Sequence, residues 1–303
     1  MTSEKNFQST KNILKKNIKN FTIESFRGGF GNNCQQIALG IIHSQKTNSN
    51  FYITGHKRIN DFKIVNNPFS HLLRKKKHLS RFYYFDPTSE DKRIDYPLNA
   101  GFKYIIYQEI NNVFKNTIYQ NINFKDLINI PDDQLVIHIR SGDIFTFDKT
   151  NYLQNPIVYY LDLIKKFNKT IIVTDSANNS SDKFTENPVI KSLKKLDNVE
   201  IQSNGFVKDF NTLLSAPNLA SSGVGTFVIA AALMSHRLKN FYCSDLYFRH
   251  HLNPGMLKNI PVTTYTFKNY KKIGSIWRNS SDDVQSMISK KVSISKVNQT
   301  IFS

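Results

Sequence analysis

The sequence predicts an α/β fold of two Rossmann-like domains that face each other across a cleft. Short runs of β-branched and aromatic residues alternate with segments of helical periodicity, a pattern typical of α/β proteins. The strand–helix–strand spacing indicates right-handed βαβ units and a largely parallel sheet. A chain of 303 residues is long enough for two domains. A single larger sheet is the alternative.

The elements follow from these runs in chain order. The predicted strands are FTIES (21–25), FYITG (51–55), FYYF (82–85), YIIY (104–107), LVIHIR (135–140), TIIVTDS (170–176), VEIQS (199–203) and NFYCSD (240–245). Helical patterns between them predict helices at 156–168, 186–197, 209–216 and 226–238.

The domain boundary is predicted at the turn Pro131-Asp132-Asp133, which precedes the strand LVIHIR. This divides the chain into an N-terminal Rossmann-like domain, 1–130, and a C-terminal one, 131–270. The polar and basic remainder, 271–303, is interpreted as a tail that either packs back on the first domain or lies partly disordered.

The composition excludes several classes of protein. A 40% hydrophobic and 13% aromatic content is too apolar for a disordered chain. No run approaches the roughly 18 apolar residues of a membrane span, and the N-terminus lacks the apolar stretch of a secretory signal. Two cysteines, Cys34 and Cys243, provide no disulfide framework. We therefore expect a cytoplasmic protein, with peripheral attachment to the membrane as an option.

The net charge of +18 is concentrated in three stretches, Lys11–Lys19, Lys57–Arg81 and the tail from Lys271. Such stretches bind nucleic acid, anionic lipid or phosphorylated substrates, and they also occur in proteins that are simply well solvated. Charge alone does not decide between these partners.

The first segment that could carry chemistry is FRGGFGNNCQQIALGII (26–42), where Gly28, Gly29 and Gly31 form a tight turn. Asn32 or Asn33 is predicted to cap the helix that follows. The apolar face of that helix consists of Cys34, Ala38, Ile41 and Ile42. Glycines let a backbone approach a ligand closely, and a helix N-terminus favours anions. The alternative is an ordinary glycine-rich turn.

The second segment, LVIHIRSGD (135–143), is a strand that ends in His138, Arg140 and Asp143. Ligands of parallel sheets bind beyond the carboxyl ends of the strands. An arginine there can hold a diphosphate bidentately and neutralise charge on a leaving group. The alternative is a structural ion pair between Arg140 and Asp143.

The third segment, DFNTLLSAPNLASSGVGTFVIAAALMS (209–235), begins with an amphipathic turn at Asp209. Its loop is rich in hydroxyls and glycine, and a fully apolar helix follows. Backbone N–H groups, Ser221, Ser222 and Thr226 could cradle a phosphate without a lysine. The alternative is a capped core helix.

Together these segments resemble the superfamily of α1,2-, α1,6- and protein O-fucosyltransferases, which use GDP-fucose. GGFGNN is similar to that family's GGLGNQ or GRFGNQ loop, and HIRSGD to its H-x-R-x-G-D motif. DFNTLLSAPNLASSGVGT is similar to its D-x-x-x-L-S-x-A segment and the serine-rich loop that follows it. TIIVTDS matches a strand that ends in an aspartate, here Asp175. The resemblance covers roughly residues 23–45 and 135–240.

The resemblance implies a GT-B fold, with an acceptor-side domain and a nucleotide-sugar-binding domain, and an inverting, metal-independent transfer of fucose to a glycan hydroxyl. Arg140 would stabilise the departing GDP, His138 would lie near the nucleoside or its phosphates, and Asp209 would accept from the guanine edge. Ser221, Ser222 and nearby N–H groups would hold phosphate. Asn32 would face fucose and acceptor.

Two departures from the family pattern stand out. Gly223 replaces a larger polar residue, which favours a phosphate contact through the backbone alone. Ser141 replaces the second arginine of α1,2 members. Asp148 is the candidate general base, followed by Asp143 and Glu109. No Asp-x-Asp element stands at a strand end, so we expect no metal and no cofactor besides the donor.

Two alternatives remain. The first is a glycosyltransferase with another GDP- or UDP-sugar donor, because nothing in the sequence recognises the methyl group of fucose. The second is a non-enzymatic module that binds polyanions. Such a module predicts aromatics interleaved with basic residues, whereas here they flank the basic run 57–81, so we expect no nucleic-acid partner.

Overall fold

The computed structural model describes residues 20–23, 26, 28–46, 48–66, 76–79, 107–145, 150–175, 185–248 and 251–300. The chain divides into two compact units, Met1–Asn123 and Phe124–Ser303. The protein is an α/β protein, as the sequence predicts. None of the helices within the described ranges is both long and apolar enough to cross a bilayer.

The first unit contains a sheet with the strand order β3-β2-β1-β4. Strand β1 (Asn20–Ile23) lies parallel to β2 (Asn50–Ile53) and to β4 (Lys76–Leu79), and β3 (Phe62–Ile64) runs antiparallel along β2. The strands predicted at 21–25 and 51–55 are therefore confirmed over 21–23 and 51–53, while residues 24 and 25 lie outside the described part and β2 ends before 54. The run 82–85 lies outside the described residues.

Two helical segments complete the described part of this unit. Helix α1 (Phe30–Lys46) follows β1, and its predicted apolar face is fully buried. Helix α2 (Tyr107–Val113) continues through a π-helical segment, Phe114–Ile118, to a last turn, Tyr119–Asn121. The strand predicted at 104–107 is wrong at its last residue, because Tyr107 begins α2; its other residues lie outside the described part.

The second unit is built around a seven-stranded sheet with the order β11-β10-β9-β8-β5-β6-β7. Neighbouring strands from β7 to β10 are parallel, and β11 alone is antiparallel to its neighbour β10. The strands are β5 (Gln134–His138), β6 (Lys169–Val173), β7 (Val199–Gln202), β8 (Asn218–Ser221), β9 (Asn240–Ser244), β10 (Pro261–Lys268) and β11 (Ser293–Thr300). The helices are α3 (Ile157–Ile164), α4 (Ile190–Leu193), α5 (Phe206–Ser215), α6 (Phe227–Met234) and α7 (Ser281–Ile288).

Strand β5 is buried on both faces, since Leu135, Val136 and Ile137 are all fully buried. Leu135 and Ile137 join a cluster with Tyr159 and Leu163 of α3. Val136 points to the opposite face, where α5 packs on β5 and β6. Helices on both faces explain why this strand is a continuous apolar run instead of an alternating one.

The C-terminal segment differs from the predicted tail. Strand β11 pairs with β10 along its whole length, from Pro261↔Thr300 to Lys268↔Ser293. Lys296 of β11 also places Nζ 2.7 Å from Oδ2 of the buried Asp162 in α3. The segment after residue 270 therefore adds an edge strand to the second unit's own sheet.

All four predicted helices are found with different bounds, since α3 and α6 are shorter than the predicted 156–168 and 226–238, and α4 and α5 differ at their starts. Helix α5 begins at Phe206, three residues before Asp209, directly after Gly205 with its φ of 84°. Helix α4 covers only four residues of the predicted range 186–197. Pro188 and a turn in which Asn187 Oδ1 accepts from the Val189 N–H, at 3.1 Å, occupy the start of that range.

Candidate functional site

The strand order of the second sheet reverses between β5 and β8. From β5 the chain moves outward to β6 and β7, then returns to β8 and moves outward on the other side to β9 and β10. In doubly wound sheets, ligands bind at the carboxyl ends of the two strands that flank such a reversal. His138 ends β5 and lies opposite Ser221, which ends β8. Two of the predicted chemical segments therefore meet at this reversal point.

Ser222 connects the two strand ends. Its Oγ accepts a hydrogen bond from the Arg140 N–H at 3.2 Å and donates one to Gln154 Oε1 at 2.7 Å. Gln154 in turn donates from Nε2 to Val224 O at 3.2 Å. Ser222 is buried, and its hydroxyl proton is already engaged by Gln154. Its side chain therefore fixes the backbone on which a ligand would lie.

Asn155 extends this network to a third strand. Its Nδ2 donates to Ser221 O at 3.1 Å, its N–H donates to Ser222 O at 2.7 Å, and Ser244 Oγ of β9 donates to its Oδ1 at 2.5 Å. All these side chains are buried. The segment 153–155 thus fastens the loop after β8 from one side.

Gly223 occupies a position that only glycine fits. Its φ is 118°, and a Cβ there would lie 2.5 Å from Leu153 O and 3.0 Å from Gln154 Cα. The backbones approach closely because Val224 N donates to Leu153 O at 2.9 Å. This close approach explains why a glycine stands where the resemblance led us to expect a larger residue.

Arg140 follows β5 and is oriented by its surroundings. Its N–H donates to Ser222, and its carbonyl accepts from Asn187 Nδ2 at 3.1 Å. The guanidinium carbon lies 4.9 Å from the centre of the Tyr152 ring, a cation–π contact. A fixed, half-buried guanidinium at a strand end is suited to bind an oxyanion bidentately.

His138 is a neutral imidazole at physiological pH. Its half-buried ring packs 5.2 Å from the ring of Phe227, the first residue of α6. Burial, followed by the nearby charge of Arg140, lowers its pKa from 6.5 to about 3. The ring therefore offers one N–H donor and one acceptor without a positive charge.

The depressed pKa of His138 makes the stability of the protein depend on pH. As the pH falls below 6.5, the unfolded chain gains a proton that folded His138 does not take until about pH 3. The contribution of His138 to the free energy of unfolding is therefore largest above pH 6.5. It should decrease by on the order of 1 kcal/mol per pH unit as the pH falls from 6.5 to about 3. In His138→Asn this contribution is absent, so urea unfolding at several pH values should give a flatter curve. Equal slopes for both proteins would contradict the depressed pKa.

The remaining described site residues of this unit lie along the same carboxyl edge. Thr226 precedes α6 as its N-cap and is half-buried. Asp175 stands two residues beyond β6 and is exposed. Asp209 is buried in the first turn of α5, where its Oδ1 accepts from Gln202 Nε2 at 2.8 Å and from the Asn204 N–H at 3.0 Å. One role of Asp209 is therefore to close the turn after β7.

Two predicted acids are described only in part or not at all. Asp143 lies in a short 3-10 helix, Gly142–Phe145, and its side chain is outside the described part of the chain. Asp148, the candidate base, is outside the described residues. The predicted base role stays a prediction for both.

The glycine segment of the first unit folds differently from its predicted cap. Helix α1 begins at Phe30, and Gly29 O accepts from the N–H groups of Asn32 and Asn33 at 3.0 and 3.1 Å. Both asparagines therefore lie inside the first turn, so the prediction that one of them caps the helix is wrong. Gly28, with a φ of 70°, makes the turn before it, and Gly31 is within the helix.

The structure describes the positions of both asparagines of this segment and of Glu109. Asn33 is buried, and its Oδ1 lies 3.1 Å from His56 Nε2. Asn32 is half-buried. Glu109 lies in the first turn of α2. Within the part of the chain that the structure describes, no three His, Cys, Asp or Glu side chains lie together as a metal-binding group.

Sequence reasoning missed three residues of this site, namely Tyr152, Gln154 and Asn155. They lie in one loop before α3, and none of them is part of a motif that could be recognised from the sequence.

Among known proteins, no family model, curated sequence or solved structure matches this chain.

Proposed function

We propose that the protein is an inverting, metal-independent glycosyltransferase that moves fucose from GDP-fucose to a hydroxyl of a glycan acceptor. The observation that carries the proposal is the reversal point, where Arg140 and the loop Ser221–Gly223 are joined by the hydrogen bond from the Arg140 N–H to Ser222. The resemblance to the fucosyltransferase superfamily supplies the sugar and the nucleotide.

In this proposal the diphosphate of the donor binds at the reversal point. Arg140 supplies the positive charge, and the N–H groups of Gly223 and Gly225, in the loop that leads into α6, supply hydrogen bonds, whereas the Val224 N–H is engaged by Leu153 O. His138, held neutral by its low pKa, hydrogen-bonds to the donor without adding charge. No lysine is needed at the phosphates in this arrangement.

Asp209 is the proposed guanine reader. Its Oδ1 already accepts two hydrogen bonds, from Gln202 and Asn204, so the guanine contact falls to Oδ2. A carboxylate held in this way is rigid. A rigid acceptor favours the adjacent N1–H and N2–H donors of guanine over uracil, whose single N3–H lies between two carbonyl oxygens that a carboxylate repels.

The transfer is a single displacement. The acceptor oxygen forms a bond to the anomeric carbon of fucose while the bond from that carbon to GDP breaks, and GDP keeps the electron pair. The proton of the acceptor hydroxyl goes to a general base, for which Asp148 is the first candidate and Asp143 and Glu109 are the next. Arg140 compensates the negative charge that grows on the departing diphosphate.

The GT-B arrangement also belongs to the proposal. The second unit, with its doubly wound strand order, is the proposed donor unit. The first unit, with the turn Gly28–Gly29 and Asn32, is the proposed acceptor unit.

Calorimetric titration of the purified protein in EDTA, with GDP and then with UDP, tests this function. We expect GDP to bind and UDP to bind at least about 100-fold more weakly, because uracil has one N–H, flanked by carbonyl oxygens, and lacks the adjacent N1–H and N2–H donors of guanine that Asp209 would recognise. Consumption of GDP-fucose with a glycan acceptor is the second measurement. Preference for UDP would overturn the guanine assignment and favour another donor, and binding of neither nucleotide would contradict the enzyme itself.

A further inference from the structure

The loop between β10 and α7 presents two large apolar side chains to solvent. Ile273 is 41% exposed and Ile276 is 43% exposed, and they flank a turn at Gly274, whose φ is 89°. Two exposed isoleucines within four residues differ from the single exposed side chains that any protein surface carries. Trp277, the neighbouring aromatic residue, is by contrast buried.

The exposure is imposed by the fold. Ser275 N donates to Lys272 O at 2.9 Å, and Lys271 Nζ donates across the turn to Ile276 O at 2.7 Å. Lys271 also forms an ion pair with Asp283, in which Lys271 Nζ lies 2.7 Å from Asp283 Oδ1. Trp277 and Thr150 exchange backbone hydrogen bonds of 2.7 and 2.8 Å, which anchor the loop on its other side.

The charged residues within this loop and in the stretch that leads to it are all basic. The sequence from Leu246 to Ser281 contains no aspartate or glutamate. The basic residues of that stretch are Arg249, Lys258, Lys268, Lys271, Lys272 and Arg278. Lys268, Lys272 and Arg278 are exposed beside the isoleucines. Acids stand at either end of this stretch: Asp245, directly after β9, interacts with Lys272, and Asp282 and Asp283 lie in the first turn of α7, where Asp283 pairs with Lys271.

We propose that the loop Asn269–Ser280 is a contact site for an anionic lipid bilayer. The two isoleucines enter the boundary between headgroups and acyl chains, and the exposed cations pair with lipid phosphates. A single-stranded nucleic acid is a poorer fit, because base stacking needs exposed aromatic rings and Trp277 is buried.

The loop is connected to the candidate site. Tyr270 Oη donates to Gln154 O at 2.9 Å, and Gln154 is the residue that holds Ser222. The lipid contact therefore lies at the same edge of the sheet as the reversal point, which suits an acceptor carried by a membrane lipid. The bilayer contact itself stands without the proposed function, because it rests on Ile273, Ile276 and their charged neighbours.

Sedimentation of the full chain with vesicles tests the contact. One vesicle contains phosphatidylcholine alone, and the other contains phosphatidylcholine and phosphatidylglycerol in equal parts. We expect binding to the anionic vesicles only. Ile273→Ser and Ile276→Ser should each lower the partition constant about tenfold, since each removes a side chain that is buried on binding. Ile201→Ser is the matched control, because Ile201 is 37% exposed on the distant edge strand β7.

A second pair of variants tests the charges. Lys268→Gln with Lys272→Gln should lower binding about fivefold for each charge removed, while Lys194→Gln with Lys195→Gln, exposed lysines after α4, should change it little. Thermal melts establish that each variant is folded. Absence of vesicle binding, or binding that the isoleucine variants leave unchanged, would overturn the proposal. So would isoleucine variants that alter only self-association in analytical ultracentrifugation.

Discussion

Gly223→Ala is expected to lower the free energy of unfolding by about 3 kcal/mol and to abolish nucleotide binding. A φ of 118° is strained for any residue with a Cβ, and the added carbon would lie 2.5 Å from the backbone oxygen of Leu153. A backbone oxygen cannot rotate away as a side chain can. To relieve this clash, the segment 153–154 must move away from the loop 222–224, and that movement breaks the hydrogen bond between Ser222 and Gln154. Thermal unfolding should show a midpoint about 10 °C lower.

Gly225→Ala is the matched control for this prediction. Gly225 lies two residues further along the same loop, its φ is outside the left-handed region, and a Cβ there meets nothing within 4 Å. Its substitution should change the free energy of unfolding by less than about 0.5 kcal/mol. Equal effects of the two substitutions would show that the loop responds to any added methyl group, and the argument from the Leu153 contact would fail.

The strands around the reversal point could be predicted because their burial leaves a local mark. Strands β5 and β6 are covered on both faces. Their buried parts are accordingly an unbroken apolar run, Leu135 to Ile137, and an unbroken β-branched run, Thr170 to Val173. Strand β8 left no such mark. Asn218–Ser221 is fully buried but contains one large apolar residue, Leu219, and it is a strand because β5 and β9 pair with it on either side.

Strands β10 and β11 were missed for different reasons. PVTTYTFK of β10 has six consecutive β-branched and aromatic residues, Val262 to Phe267, so the sequence does carry a local strand signal there. SISKVNQT of β11 is an edge strand whose polar sequence resembles that of a loop, and of its residues 293–297 all but Ile294 are exposed. Its pairing with β10 and the ion pair of Lys296 with Asp162 hold it in the sheet, and both are tertiary contacts.

The candidate site divides in the same way. His138, Arg140 and the serines could be singled out because polar residues and glycines at the end of an apolar strand are locally unusual. Gln154 and Asn155 could not, because they acquire a role only where they meet Ser222 and Ser221, more than 60 residues further along the chain. Short motifs therefore indicate where ligands bind, and the residues that hold those motifs in place emerge from long-range contacts.

Arg140→Ala should weaken GDP binding by about 100-fold while leaving the thermal midpoint close to that of the wild type. A charge-assisted contact to phosphate contributes about 1.5–3 kcal/mol, or about 10- to 150-fold in the dissociation constant, and a bidentate contact lies toward the upper end. The backbone of Arg140, which carries the bonds to Ser222 and Asn187, is unchanged by the substitution. If the enzyme proposal holds, kcat should fall further, since charge on the diphosphate grows in the transition state.

Arg140→Lys separates charge from geometry. Lysine keeps the positive charge but loses the planar fork and its fit over the Tyr152 ring, so GDP affinity should lie between those of the wild type and the alanine variant. Arg237→Ala is the control, because Arg237 is an arginine of the same unit that follows α6 and donates to Asn129 at 3.3 Å. Equal loss of GDP affinity in Arg237→Ala would mean that net charge, and not the position of Arg140 at the reversal point, attracts the nucleotide. Unchanged affinity in all three variants would show that the diphosphate does not bind at the carboxyl end of β5. The proposed donor site would then lose its main support.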